Sequence, residues 1–386
     1  KHAKMYGSSH VSFYLLMMAM RNVVSCPDGC LCQTEQQALC NDAGLTEIPG
    51  DLPSSLTYLS VAGNNIKKIP VNLTSMYPNL NKLYLDRNQI QNIEPYTFQG
   101  LSGMAILSLT GNPFETLPKL AFPKLKNITT LTLSNNNISK IESLVFAGAD
   151  NFQMLLLAGN PLVSIESSAF TGLSNVGFLQ LPEGIQNIDA DAFNGLTMVG
   201  YLKLSKMKAK FLPKGLFNGI DNVTVLTIQD SELGKVHPYI FEGAGNVETL
   251  EILGNTIDQF SLFKFDEHTS IGKFIFHNNI VNRVSYPVHW GEPSMQSVSL
   301  INNTFPCDCS LHWLKQSGVE EYDKDFFDKN YCGPGEISLS SALAQNISEC
   351  QVSDYKDDFS SGATLYFQLS TLNAIIFAIT VNEIMG

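Results

Sequence analysis

The residues best suited to covalent chemistry are eight cysteines, and they fall into two tight groups. Cys26, Cys30, Cys32 and Cys40 form the first; Cys307, Cys309, Cys332 and Cys350 form the second. An even count, clustered at two ends with no cysteine between residues 41 and 306, points to two stapled ends around a thiol-free middle. Each group allows three pairings on sequence alone. Zinc is the rival reading, and the lack of a Cys-x₂-Cys knuckle weighs against it. The seven histidines, His2, His10, His237, His268, His277, His289 and His312, show no metal-ligand spacing. There is no G-x-S-x-G elbow, no phosphate-binding glycine loop and no H-E-x-x-H. Paired carboxylates such as Glu320 and Glu321 lie in an acidic run that reads as solvated surface. The chain therefore reads as a non-enzyme, with no cofactor and no metal.

A second kind of chemistry is covalent modification. Sequons place acceptor asparagines at Asn72, Asn127, Asn137, Asn222, Asn302 and Asn346. Glycosylation there requires a secretory route. From Val11 to Met20 runs an apolar stretch of signal-peptide length, and Val23 and Ser25 are small enough for the −3 and −1 sites before Cys26. Residues 5–25 are thus read as a signal peptide, and residues 1–4, ahead of Met5, as translated upstream sequence. At the other end, residues 351–362 read as a short acidic stalk and 363–386 as a hydrophobic tail. That tail, uncharged from Ala363 to Asn382, is either a membrane span or a lipid-anchor signal.

Composition narrows the function classes. The chain has 386 residues, 44% hydrophobic and 16% charged, which excludes a disordered chain. A net charge of −12 leaves no footprint for nucleic acid.

What must position these residues is a repeat. The template L-x-x-L-x-L-x-x-N begins at Leu56, Leu80, Met104, Ile128, Phe152, Val176, Val199, Val223, Val247, Ile271 and Met295, every 24 residues with one interval of 23. All 33 template leucine positions are apolar. An independent column keeps the same period: Phe98, Phe122, Phe146, Phe170, Phe193, Phe217, Phe241 and Phe265. The x-L-x-L-x piece alternates, so it forms a short strand with leucines inward. No coil buries its leucines alone, so neighbours must stack. The ninth position holds Asn64, Asn88, Asn112, Asn136, Asn160, Asn255, Asn279 and Asn303, where an inward amide serves backbone groups that leave the sheet. Coils 6 to 8 carry Gly184, Met207 and Ser231 instead. A local change of curvature, with water or rearranged backbone making up the bonds, is expected there.

With its caps the pattern resembles animal extracellular leucine-rich-repeat proteins of the receptor and adhesion type. The motifs are Cys26-x₃-Cys30-x-Cys32-x₇-Cys40 and Cys307-Asp308-Cys309-Ser310-Leu311-His312-Trp313-Leu314 followed by Cys332 and Cys350. The resemblance implies an α/β-type solenoid: a leucine-rich-repeat horseshoe with a parallel concave sheet, about 11 coils of 24 residues, and disulfide caps at both ends. It implies an N-terminal cap at 26–55, repeats at 56–306 and a C-terminal cap at 307–350, with Cys26–Cys32, Cys30–Cys40, Cys307–Cys332 and Cys309–Cys350 paired.

Function then falls to the concave face, formed by template positions three, five, seven and eight. It carries five basic and four acidic residues and is nearly neutral. Tyr84, Ile106, Met154, Leu156, Phe178, Tyr201, Lys203 and Val225 are the expected partner-binding residues, with Met154, Leu156, Phe178 and Tyr201 in successive coils. The expected partner is an extracellular protein, a second copy of the chain included, bound by a secreted or cell-surface molecule attached through its C-terminal tail. The competing reading is a soluble, non-catalytic carrier subunit of a secreted enzyme complex.

Overall fold

Alternating leucines make each coil contribute one strand, and the strands stack in register. The structure, a computed structural model, describes residues 26–285, 295–333 and 337–345. Its principal element is a 13-stranded sheet. An antiparallel hairpin of Leu31–Thr34 and Gln37–Leu39 opens it, and Gln37–Leu39 then runs parallel to Tyr58–Ser60, the strand of coil 1. Parallel pairing continues coil by coil to Ser297–Ile301, the strand of coil 11. Leu59, Leu83, Leu107, Leu131 and Leu155 are fully buried along one inward row. Each such side chain stabilises the fold by about 1.5–3 kcal/mol through removal from water.

Strand length follows local composition. Coils 1 to 4 have strands of three residues, whereas coils 7 to 10 have strands of eight. Asn222–Gln229 reads N-V-T-V-L-T-I-Q, and its β-branched residues favour the extended backbone. The outer wall of the solenoid also pairs as strands. Ser164–Ile165 with Asn187–Ile188 and Thr116–Leu117 with Lys140–Ile141 form short ladders, and a seven-stranded sheet runs from Lys208–Leu212 to Ile337–Ser338. Where an α/β label anticipates helices on that wall, turns and strands stand instead. Among the described residues the repeats hold one helix, Leu73–Met76, and the C-terminal cap holds four short ones. A 24-residue coil spends so few residues on its outer side that one strand and a turn suffice.

The phenylalanine column stacks continuously from Phe98 to Phe265. Successive centroids lie 5.4–6.3 Å apart with interplanar angles of 7–16°. The caps close the tube. Cys26 pairs with Cys32, Cys30 with Cys40, and Cys307 with Cys332. Cys309 is disulfide-bonded as well, and Cys350 lies outside the described residues. Residues 5–25 and 351–386 also lie outside them. No helix among the described residues is long and apolar enough to cross a membrane.

The asparagine ladder uses two bonding patterns, one prevailing before coil 6 and the other after it. In the first half, Asn160 Nδ2 donates to the carbonyls of Leu133 and Leu157 at 2.9 and 2.7 Å, and its Oδ1 accepts from the Ile138 N–H. In the second half the amide regularly serves its counterpart one coil back, as Asn136 Oδ1 alone does in the first half for the Asn112 N–H: the Asn255 N–H donates to Asn279 Oδ1, and the Asn279 N–H to Asn303 Oδ1. The N–H that follows each ladder position now donates into the outer sheet, as Glu232 does to the Met207 carbonyl. Ser231 replaces the amide with a hydroxyl that accepts from the Met207 N–H at 3.0 Å and donates to the Gln229 carbonyl at 2.7 Å.

Gly184 is a different case. The residue missing from coil 6 shortens the path from the last inward leucine to the outer wall, and Gly184 sits at φ +82° where a Cβ would meet nothing. It occupies a left-handed turn facing open space rather than a vacant ladder site. The ladder also extends beyond the template. Asn330, fully buried in the C-terminal cap, accepts from the Asn303 N–H at 2.8 Å and donates to the Leu300 carbonyl at 2.7 Å.

These two sites are expected to respond in opposite ways. Asn330→Ala orphans the Asn303 N–H and the Leu300 carbonyl, at about 1–3 kcal/mol for each buried group. Its denaturation midpoint should fall well below the parent's. Gly184→Asn places its side chain in solvent at a φ that asparagine tolerates, so its midpoint should stay within about 1 kcal/mol of the parent. A Gly184→Asn gain as large as the Asn330→Ala loss would show that coil 6 does hold a vacant ladder site.

Candidate functional site

Register on the long sheet decides which outward side chains become neighbours. One row runs Tyr58, Lys82, Ile106, Thr130, Met154, Phe178, Tyr201 and Val225, one residue per coil. Of the expected partner-binding residues, Met154, Phe178, Tyr201 and Val225 are therefore adjacent on four neighbouring strands about 4.8 Å apart. Ile106 is separated from them by Thr130. The next row places Tyr84, Leu156 and Lys203 apart from one another, with Ser108, Thr132 and Gln180 intervening. Tyr84 joins a different group, its ring 5.4 Å from that of Tyr58. Met154 is 37% and Tyr201 52% exposed, while Phe178, Val225 and Leu156 are half-buried.

Two features of this face escape the leucine template. Met198, 54% exposed, pairs in register with Asn175 and Asn222 and widens the apolar group along the edge of coil 7. Its signal was available: it breaks the column Asn127, Asn151, Asn175, Asn222, Asn246 that precedes the template starts. Beside it, a Cβ on Gly200 would lie 2.2 Å from the Gly177 carbonyl oxygen, so this approach of coils 6 and 7 requires glycine.

Five of the nine charges on the face, Asp86, Glu183, Lys206, Asp230 and Glu251, are engaged with one another or with polar groups. Lys206 pairs with Glu183 at 3.1 Å, both more than half exposed, a contact worth about 0–1 kcal/mol. Asp86 accepts from the Thr110 N–H at 2.8 Å and from the Ser108 hydroxyl. Glu251 accepts from Thr227 Oγ1 at 3.0 Å. At the C-terminal end His277 lies 2.8 Å from Ser299 Oγ. Burial first, then the charge of Lys273, holds His277 below the usual histidine range, against the opposing pull of Asp323 and Glu251.

Asn72, Asn127, Asn137, Asn222 and Asn302 are all exposed, and Asn346 lies outside the described residues. Asn127 and Asn222 occupy the same edge four coils apart, where Asn127 Oδ1 accepts from Asn151 Nδ2 at 2.7 Å. Asn302 donates to Asn278 Oδ1 at 2.6 Å at the far end of the face.

Elsewhere, a hollow of about 520 Å³ opens between the outer turns of coils 6 to 9, away from the long sheet. Its charged side chains are spoken for: Lys214 pairs with Glu242 at 3.0 Å and Asn218 donates to Asp191 at 2.7 Å. Among the described residues no group of three or more His, Cys, Asp and Glu is arranged to hold a metal ion.

A sequence family described as BspA type leucine rich repeat region matches in six copies, over residues 67–200 and 188–305. Leucine-rich repeat-containing protein 3 of Rattus norvegicus is 34% identical over 98 residues, which cover 25% of this chain and 38% of that protein. Leucine-rich repeat-containing protein 3B of Homo sapiens is 33% identical over 93 residues, 24% of this chain and 36% of the relative. The match thus spans well under half the length of these curated relatives. Among solved structures, a chain of the octameric complex of Latrophilin 3 (Lec, Olf), Unc5D (Ig, Ig2, TSP1) and FLRT2 (LRR) superposes with a TM-score of 0.53. It shares 19% identity, covering 85% of this chain and 98% of that one, which is a likeness of fold.

One property of the face is directly measurable. A histidine whose folded pKa lies below its unfolded value, about 6.5, contributes stability that is present above that value and lost as pH falls through it. His277 and His237, the latter lowered by burial and then by Lys214, both act in this direction. Denaturation midpoints should therefore fall from pH 7.5 to 5.5, and His277→Gln should shrink that fall. An unchanged pH slope in the variant would mean that His277 is equally easy to protonate folded and unfolded.

Proposed function

The chain belongs to the BspA-type leucine-rich-repeat family, and from that premise we propose that it is a non-catalytic, extracellular protein-binding molecule that docks its partner on the outward rows of coils 5 to 8. The observation that carries this reading is the adjacency of Met154, Phe178, Tyr201 and Val225 on four hydrogen-bonded strands. Side chains on a rigid sheet lose little further entropy when a partner covers them, so most of the gain from burial survives as affinity. Aromatic anchors in such a setting can each contribute about 2 kcal/mol or more.

Three disulfides in two caps support an oxidising compartment, where such bonds persist. In this reading the signal peptide is removed before Cys26, N-glycans occupy the exposed sequons, and the C-terminal tail attaches the molecule to a membrane. The near-neutral face supports binding through packing, with charge acting on orientation.

Glycan masking tests the site without disturbing the core. Thr130→Asn completes an N-L-T sequon with Leu131 and Thr132 beside Met154, and Lys203→Asn completes N-L-S with Leu204 and Ser205. Glu166→Asn completes N-S-S on the outer wall of coil 5. When the purified, glycosylated ectodomain is used to capture extracellular proteins, the first two variants should lose the partner and the third should keep it. Capture should also change little between about 50 and 200 mM salt, unlike a phosphate- or heparin-type site. Loss in Glu166→Asn alone would place the binding surface on the opposite wall.

A further inference from the structure

We propose a second, separate binding site at the junction of the N-terminal cap and coil 1, shaped for one carboxylated sugar ring. A hollow of about 230 Å³ lies there, below the ~300–1,000 Å³ of drug-sized sites and suited to a single pyranose. Register sets out its floor. Gln37, Tyr58 and Lys82 are direct partners on three neighbouring strands, so the amide and the ammonium stand about 10 Å apart at the backbone with the tyrosine between them. The Tyr58 ring is braced by Tyr84 at 5.4 Å.

The polar inventory of the hollow is saccharide-like in what it offers. Lys82 is half-buried, no carboxylate lines the hollow, and Lys82 makes no ion pair among the described residues. Arg87, Lys203 and Lys273 on the same face are likewise without an ion pair among the described residues, and what sets Lys82 apart is the amide-lined hollow beside it. The side-chain amides of Gln36 and Gln37 likewise make no hydrogen bond among the described residues. Asn81 donates its amide to the Gly103 carbonyl, leaving its Oδ1 as an acceptor on the rim. Each glutamine amide both donates and accepts, which is what vicinal hydroxyls demand, and a tyrosine face covers the apolar C–H side of a sugar ring. The one cation selects a carboxylate over a neutral ring. A protein docked on coils 5 to 8 would leave this hollow uncovered, so the two sites are independent.

The test is titration of the intact purified chain with sodium glucuronate, methyl glucoside and sodium acetate, read by saturation-transfer NMR. Glucuronate should bind with a dissociation constant of about 1 mM, the range open to a ligand this small. Methyl glucoside should bind at least tenfold more weakly, and acetate should not displace glucuronate at equal concentration. Lys82→Gln, which keeps the stem and the fold, should remove the preference for the acid, with an unchanged melting curve as the check on folding. Equal affinity for the neutral sugar, displacement by acetate, or full glucuronate binding by Lys82→Gln would each overturn the proposal. A second arm separates two sources of the same chemistry. A glycoprotein bearing terminal N-acetylneuraminate, presented before and after sialidase, assigns the site to a glycan end if capture falls on treatment. It assigns the site to the free sugar acid if glucuronate binds and the glycoprotein does not. Binding of neither probe refutes the site.

Discussion

Each coil must bend its backbone out of the long sheet while staying inside a leucine-lined tube, and at that corner peptide groups lose their strand partners without gaining water. An unmet group there costs about 1–3 kcal/mol, and the cost recurs in every coil. The asparagine ladder is the answer, because one amide can accept from one coil and donate to carbonyls of two. Asn160 does this between coils 4 and 5, and Asn330 does it between coil 11 and the cap. The spacing of the outward rows depends on this corner being closed, since an unbonded turn would let neighbouring strands slip. In the second half of the array the outer sheet takes over part of the task. The backbone ladder then carries bonds that single side chains carry in the first half.

The fold was legible because its determinants repeat. A leucine or phenylalanine that must be buried in one coil must be buried in all, so a 24-residue period exposes the whole tube, and paired cysteines mark where it stops. What was not legible has no period. Asn330 stands 27 residues after Asn303, outside the leucine template, and only packing brings it into the ladder. Gly184 occupies the template's asparagine column, yet the deletion in coil 6 turns its position outward into a left-handed turn. The eight-residue strands follow from β-branched runs such as that of coil 8, a local preference that the template treats as filler. On the face itself alternation marks Met154, Leu156, Phe178 and Tyr201 as outward, but the structure sets Met154, Phe178, Tyr201 and Val225 side by side in one row with Ile106 beyond Thr130, and puts Leu156, Tyr84 and Lys203 on the next row. Register, which the template does not fix laterally, separates them.

The departures from regularity are not spread evenly along the chain. Coil 6 is short by one residue, Gly200 is needed for the close approach of coils 6 and 7, and Met198 interrupts an asparagine column at coil 7. Lys206 and Asp230 adopt positive φ at a corner where most coils use glycine or asparagine, as Arg87 also does in coil 2, and for the lysine the conformation costs about 1–2 kcal/mol. Ser231 closes the ladder with a hydroxyl. Most of these departures lie in coils 6 to 8, beneath or beside the apolar row, although Arg87 in coil 2 and Gly272 in coil 10 repeat two of them elsewhere. A repeat array folds best when every coil obeys the same local rule, so residues that break the rule together are accounted for by something other than folding. Recognition, as proposed for this face, meets that description. A partner reads what distinguishes one coil from the next, and on a solenoid whose inward positions are dictated, those distinctions can reside only in the outward residues and in the backbone adjustments that present them.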